Sequence, residues 1–451
     1  MSVKKFLAFS LALAIAACAK KPAAPTTPTV IPTPFPGALY IDPNISLGEI
    51  SPLVYGTNHG PWIALSVDGL QPAYDSGINI VRFPGGSWGD HNDVKTYQID
   101  QFMSLLEKMD AQAMINVRLL GGTPEQAAEM VRYVNVEMEY GVKYWGIGNE
   151  PTLFNDELEN RGDHYDVDRF NREWRAFALA MKAVDDDILL VGPEVHQFSY
   201  DVTGTTNYDI TTAQDRNGKY WMDEFLKANG DLVDIVSMHR YPFPVSRVAG
   251  SPSVDELQAN AQEWDRIFIR LRELIHTHTG LDLPIAVTEF NSAYNPAIGA
   301  ETSPDSHYNA IWLGDVLGHM IKNGVFLANH WMLTSKGGYG GWGLIGQTEV
   351  FPSYYTYEMY EMFGQELVYS SSDQPNLTIY AARREDGALT IMVINLSLEE
   401  QARSLRLEGE TVLEGQAWLF DPTHKVENIG AVDLNGEVRF PAQSMTLIII
   451  E

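Results

Sequence analysis

From about residue 50, short apolar runs rich in β-formers alternate with longer amphipathic stretches. The runs are 51–58, 78–84, 113–119, 142–149, 188–194, 234–241, 284–290 and 325–332. Between them, 99–109, 124–139, 167–184 and 255–275 repeat their apolar residues at helical period. Strands alternating with helices predict a parallel sheet, because a chain needs a long crossover to re-enter a sheet in the same direction. Eight such units predict a closed (β/α)8 barrel. An open doubly wound sheet is the alternative, but no glycine-rich phosphate-binding turn follows the first run. Past residue 365 the helical period disappears. Runs 376–383, 388–395, 402–407, 416–420 and 444–450 are short and joined by polar turns. They predict a small antiparallel β-sandwich. The fold class is therefore α/β, a TIM barrel over 49–364 with an additional sandwich over 365–451. Residues 38–48 are read as a strand that joins the sandwich.

The first residues change the picture of where the protein works. Lys4 and Lys5 precede an apolar segment, Phe6 to Ala14, that is too short to span a bilayer. Ile15-Ala16-Ala17-Cys18 then places small residues before a cysteine, as in the lipobox of bacterial lipoproteins. Cys18 is the sole cysteine of the 451 residues, so an internal disulfide is excluded. The expectation is a signal peptide over 1–17, lipidation at Cys18, and a tether over 18–37 rich in Pro and Thr. A plain cleaved signal peptide is the competing reading. The chain is then exported and held on the bacterial cell envelope, touching the membrane through its anchor alone.

Charge narrows the partners. The chain carries 31 Lys and Arg against 59 Asp and Glu, a formal net charge of −28. Nucleic-acid binding requires basic surface to neutralise phosphates, so that partner is excluded. A neutral substrate suits such a surface better than an acidic polymer.

Barrel chemistry gathers where the strands end. The second run ends in Arg82-Phe83-Pro84-Gly85-Gly86 and the fourth in Gly148-Asn149-Glu150-Pro151. The sixth holds His239 and Tyr241, the seventh ends in Thr288-Glu289-Phe290-Asn291, and the eighth holds Trp331. Carboxylates after runs four and seven face one opening. Two carboxyl groups flanking a scissile bond are what glycoside hydrolysis needs, one to protonate the leaving oxygen and one to attack or activate water.

At these residues the chain resembles the clan A retaining glycoside hydrolases. GIGNEP and VTEFN match that clan's acid/base and nucleophile motifs. Within the clan, VRFPGG, GGTPEQAAEMVRYVN, YWGIGNEP and FPSYYTYEMYEMFG look most like family 51 α-L-arabinofuranosidases. Families 39 and 44 share the barrel-plus-sandwich plan. SWGDHND after RFPGG departs from the usual family 51 continuation. The resemblance implies Glu150 as acid/base and Glu289 as nucleophile. It implies Asn149 on the sugar 2-hydroxyl, Arg82 and Tyr241 orienting Glu289, and His239 supporting the acid or a sugar hydroxyl. Trp331 would floor the subsite at the cleaved bond. Trp342, with Tyr339, would cover it from the glycine-rich run 337–343, and Trp62 and Trp88 are further candidates on early loops. No cofactor or metal is called for.

Three readings compete. An arabinofuranosidase-like enzyme comes first. An endo-acting glucanase or xylanase, or a β-xylosidase, on the same scaffold comes second. A glycan-binding lipoprotein on a dead barrel comes third, although such barrels usually lose one catalytic carboxylate and both are present. Two smaller features are read as surface: His276 and His278 in HTHTG, and the loop Asp90-His91-Asn92-Asp93.

Overall fold

The computed structural model describes residues 35–159, 162–199, 213–243, 251–294, 298–335, 341–409 and 414–451. Cys18 and the calls on 1–34, together with Tyr339, lie outside the described residues.

Strand β1 (Ala38–Glu49) comes first in the chain. The barrel follows: β2 (Gly56–Asn58), β3 (Ile80–Phe83), β4 (Gln112–Val117), β5 (Tyr144–Ile147), β6 (Leu189–Val195), β7 (Ile235–Arg240), β8 (Ile285–Phe290) and β9 (Leu327–His330). These eight close into a ring in chain order, each parallel to its neighbour, with β9 returning to β2. The barrel interior is layered. Each strand, or the turn leading into it, sends one apolar side chain into a floor: Leu53, Ile80, Met114, Tyr144, Val191, Ile235, Ala286 and Leu327. Side chains two residues further on point the same way. On β3, β4, β7, β8 and β9 these are Arg82, Asn116, Ser237, Thr288 and Asn329, all buried and polar. The dry floor thus carries a polar layer, and the site is built on that layer. Two glycines are needed for these to fit. A Cβ at Gly146 would fall 2.6 Å from the Asn116 side chain, and one at Gly56 would fall 2.4 Å from that of Asn329.

The remaining strands are β10 (Glu366–Ser371), β11 (Leu377–Arg383), β12 (Leu389–Asn395), β13 (Gln401–Leu407), β14 (Glu414–Phe420), β15 (Glu427–Asp433), β16 (Glu437–Phe440) and β17 (Ser444–Ile450). With β1 they make one nine-stranded sheet, ordered β15-β14-β17-β12-β11-β10-β1-β13-β16. Its pairs are antiparallel except β1 with β13. The sheet encloses its own core, in which Leu39 and Ile41 meet Val393, Leu405, Val438 and Ile448. It is a mostly antiparallel sandwich, as the turn pattern predicts.

Helix His307–Lys322 joins the two parts. It is buried from Tyr308 to Ile321, on every face. An all-round apolar helix belongs between two packed bodies. A Cβ at Gly318 would meet the Tyr380 ring of β11, and one at Gly314 would meet Met445 of β17. The long amphipathic stretch 255–275 is two helices, Val254–Ala261 and Trp264–Thr279. The break lets Asn260 Oδ1 accept the indole N–H of both Trp264 and Trp312. The stretch 124–139 winds as an α-helix to Val131 and as a π-turn over Arg132–Glu137. No helix among the described residues is long and apolar enough to cross a membrane.

Candidate active site

A cleft of about 1220 Å³ opens at the C-terminal ends of the barrel strands, and Asn149, Glu150, Tyr241, Glu289, Trp331 and Trp342 all line it. Glu150 follows β5 with φ 46°, in the left-handed region, just before Pro151. A backbone state that costs an ordinary residue energy persists only where the surroundings enforce it, and such states cluster at functional sites. Glu289 is the fifth residue of β8.

An oxygen of Glu150, an oxygen of Glu289 and a nitrogen of His239 lie within 4.8 Å of one another. His239 Nδ1 sits 3.0 Å from Glu150 Oε1 and 3.9 Å from Glu289 Oε2. The trio is compact enough to grip a divalent cation. Instead, the first contact is a hydrogen bond that spends two of its donor atoms on each other. Burial depresses the His239 pKa to about 4, so the imidazole is neutral at neutral pH.

Glu289 accepts the Tyr241 hydroxyl at 2.6 Å on Oε1 and faces Arg82 Nη1 at 3.3 Å on Oε2. Burial raises both carboxyls above their ordinary value. The phenol and the guanidinium favour the charged form of Glu289. Among the described residues Glu150 has no hydroxyl donor of that kind, so of the two carboxyls Glu289 is the one its neighbours favour in the charged form.

Arg82 is fully buried, and Glu289 is not its main partner. Its Nη2 and Nε bond Glu194 at 2.7 and 3.3 Å, Nη2 also bonds Asn149 Oδ1 at 2.8 Å, and Nη1 bonds Asn58 Oδ1 at 2.9 Å. Asn116 donates to the same Glu194 oxygen at 2.6 Å. Since Asn149 Oδ1 is taken by Arg82, its Nδ2 is the end left for the cleft. Glu194, Asn58 and Asn116 are site residues that the strand pattern did not single out. Glu194 sits in a bulge: Pro193 pairs with Ser237 and Val195 with Met238, which leaves Glu194 as the extra residue, at φ 54°. A bulge re-aims a side chain that alternation would send outward.

Trp331 stacks on Trp62 at 5.8 Å between ring centroids, and Trp62 and Trp88 also line the cleft. Trp342 is largely buried and donates its indole N–H to Ala293 O at 3.0 Å, so it is a fixed wall. In the loop Asp90–Asp93, His91, Asn92 and Asp93 are exposed as expected, and Asp90 is the exception. Asp90 is buried and accepts the backbone N–H of Leu119, Leu120 and Asn149 at 2.8, 3.0 and 2.6 Å. It thereby ties the residue before Glu150 to the neighbouring strand loop. His276 and His278 lie apart from the site, pairing with Asp282 and Asp223.

No family model matches the chain. Endoglucanase A of Paenibacillus lautus is 24% identical over 325 residues, 65% of this chain, and the chain spans 45% of that relative's length. Solved structures match nearly end to end. An α-L-arabinofuranosidase from Thermotoga maritima aligns with TM-score 0.70 at 19% identity, covering 92% of this chain and 100% of that one. A bifunctional glucanase-xylanase from a metagenome library gives 0.69 at 19%, covering 92% and 99%. A family 44 xyloglucanase from Paenibacillus polymyxa gives 0.67 at 17%, covering 91% and 98%. The chain has the clan A glycoside hydrolase fold. At these identities the likeness is one of architecture. In this chain the fourth and seventh barrel strands, β5 and β8, bring Glu150 and Glu289 to one opening.

Proposed function

We propose that the protein is a retaining glycoside hydrolase acting on neutral plant-type polysaccharide or its fragments. The spacing of Glu150 and Glu289 carries the proposal. Retaining enzymes hold their carboxyl groups about 5–5.5 Å apart, whereas inverting ones need about 6.5–9.5 Å to admit a water. An oxygen of Glu150 and an oxygen of Glu289 lie within 4.8 Å of each other, a close approach that favours the retaining class over the inverting one.

The chemistry then follows. Glu289 attacks the anomeric carbon as the glycosidic C–O bond breaks, and the Glu150 proton passes to the leaving oxygen. Glu150, now ionised, takes a proton from water. The resulting hydroxide attacks the anomeric carbon, and Glu289 leaves as carboxylate. Asn149 Nδ2 is placed for the sugar 2-hydroxyl, and Trp331 for the apolar face of the ring.

The cleft supports one of the two substrate readings over the other. Its volume of about 1220 Å³ exceeds the usual range of about 300–1000 Å³ for a site that encloses one small ligand. Indoles from three separate loops line it. That room favours a chain of several sugars, hence the endo-type glucanase or xylanase reading over removal of single arabinofuranosyl units. The test is a panel of aryl glycosides (arabinofuranoside, xyloside, glucoside, cellobioside, xylobioside) and polymers, given to the chain from residue 35 onward beside Glu289→Ala. The expected result is activity on disaccharide glycosides or polymer, first released with unchanged anomeric configuration and abolished in the variant. Turnover of the arabinofuranoside alone would move the assignment to the pocket type. Turnover surviving in Glu289→Ala would overturn the nucleophile. Glycan binding without turnover would leave the binding lipoprotein.

We also propose that the enzyme is an exported lipoprotein anchored through Cys18. Cys18→Ala should move it from the membrane to the soluble fraction of fractionated cells.

A further inference from the structure

Among the residues that line the cleft, His196 takes no part in the chemistry above. His196 follows β6, directly after the bulge that carries Glu194. It is half-buried and lines the cleft. In the eight-stranded ring β6 stands opposite β2, and β5 is its immediate neighbour. Trp62 follows β2 and stacks on Trp331 after β9. The cleft thus runs from a tryptophan end to a histidine end, with Glu150 next to the histidine. A sugar seated on Trp331 with its anomeric carbon at Glu289 must send its leaving oxygen toward Glu150. The leaving sugar then lies over the β5–β6 side, where His196 is.

We propose that His196, positioned by Thr152, hydrogen-bonds a hydroxyl of the leaving sugar and selects saccharide leaving groups. This rests on the glycosidase reading. Thr152 belongs to the turn Pro151–Leu153 directly after Glu150. Its Oγ1 accepts the backbone N–H of His196 at 3.3 Å and lies 3.0 Å from Nδ1. The arrangement that uses every group has the hydroxyl donating to Nδ1. That tautomer places the ring proton on Nε2, a donor on a side chain that lines the cleft. Burial lowers the His196 pKa, against the pull of Glu150, so the ring is neutral at neutral pH. A neutral donor with a fixed tautomer suits an uncharged hydroxyl. Because Thr152 and Glu150 share one turn, the leaving-sugar contact and the proton donor are set by the same piece of backbone.

The experiment compares two substrates with the same glycone. One is a 4-nitrophenyl glycoside, whose leaving group carries no sugar hydroxyl. The other is the unsubstituted oligosaccharide: 4-nitrophenyl xylobioside with xylotriose, or the glucose or arabinose pair, as the wild type dictates. His196→Ala should lower the oligosaccharide-to-aryl ratio of kcat/KM about tenfold, the size of one hydrogen bond. Thr152→Val should lower it in the same direction by less, and Thr152→Ser should restore it. Equal losses on both substrates would make His196 a partner of Glu150 and overturn the proposal, as would an unaltered ratio. A wild type inactive on every substrate would fail the glycosidase reading itself, and this inference with it. Circular dichroism of each variant separates these outcomes from misfolding.

Discussion

At the scale of residues, the site is a network that sets two carboxyls against each other. The acid limb of kcat/KM should follow protonation of Glu289, which removes the nucleophile. The alkaline limb should follow ionisation of Glu150, which removes the acid. Burial raises both carboxyls, so the bell sits at higher pH than two exposed glutamates would give. In Glu150→Ala, an aryl glycoside with an activated leaving group needs no proton. Its pH profile should keep the acid limb and lose the alkaline one; an alkaline limb that persists would assign it elsewhere. Glu194 gives a second prediction. Removing one partner of a buried ion pair costs about 3–5 kcal/mol, because the other charge stays buried. Arg82 would keep Glu289 and two asparagine oxygens, so Glu194→Ala should cost about 3 kcal/mol in urea unfolding. It should also lower kcat more than it raises KM, since Arg82 is then free to draw Glu289 away from Tyr241. Glu194 shows where reading a sequence stops. Period-two alternation puts Val191, Pro193 and Val195 on one face and sends Glu194 to the other. Only the bulge at φ 54° turns it inward, and Gly192-Pro193 inside the run is its one local sign, since glycine and proline within a strand mark a bulge without saying which side chain it re-aims.

At the scale of elements, the barrel was legible because each strand is a near-continuous apolar run bounded by turns. Glu150 and Glu289 were legible because they end such runs. The sandwich was legible only in part. Strand β15 (ENIGAVD) exposes most of its residues, and β16 is four residues long, so neither offers an apolar run. Strand β10 lies mid-sheet, yet its last two residues, Ser370 and Ser371, are polar and half-buried. Its place is secured by β1, which pairs antiparallel with it and parallel with β13. No neighbouring strand can replace β1, since it alone bridges β10 and β13. A chain beginning at residue 50 should therefore expose the core around Leu39 and Ile41 and split the sheet. The expected outcome is loss of soluble folded protein, or a thermal transition well below that of the chain beginning at residue 35. Equal melting temperatures for the two would show β1 to be dispensable.

At the scale of the whole molecule, barrel and sandwich meet across helix His307–Lys322, and a buried charge cluster crosses that meeting. Asp315 is fully buried. Its Oδ1 accepts the hydroxyls of Thr378 and Tyr380 from β11, and its Oδ2 lies 3.6 Å from His319 Nε2. His319 Nδ1 lies 2.8 Å from Asp265 on helix Trp264–Thr279, which Lys322 also pairs with. Burial alone would lower the His319 pKa. Asp315 and Asp265 overcome it and hold the imidazolium to about 9, against an ordinary 6.5. A group raised on folding adds stability that is fully present below its unfolded pKa and is lost as pH rises through the folded one. The window is therefore about pH 6.5 to 9, and the stabilisation at stake is up to about 3 kcal/mol. Asp265 moves the other way: its folded pKa is depressed, so its share is lost only well into acid. The wild-type melting temperature should fall between neutral and pH 9. His319→Gln should start lower at neutral pH and stay nearly flat over the same range. A wild-type profile as flat as the variant's would mean that the cluster is held by hydrogen bonds alone and that the imidazole carries no charge. Nothing in the sequence marks this cluster, because Asp315 and His319 stand four apart on a helix that otherwise reads as core, and their partners come from helix Trp264–Thr279 and from β11.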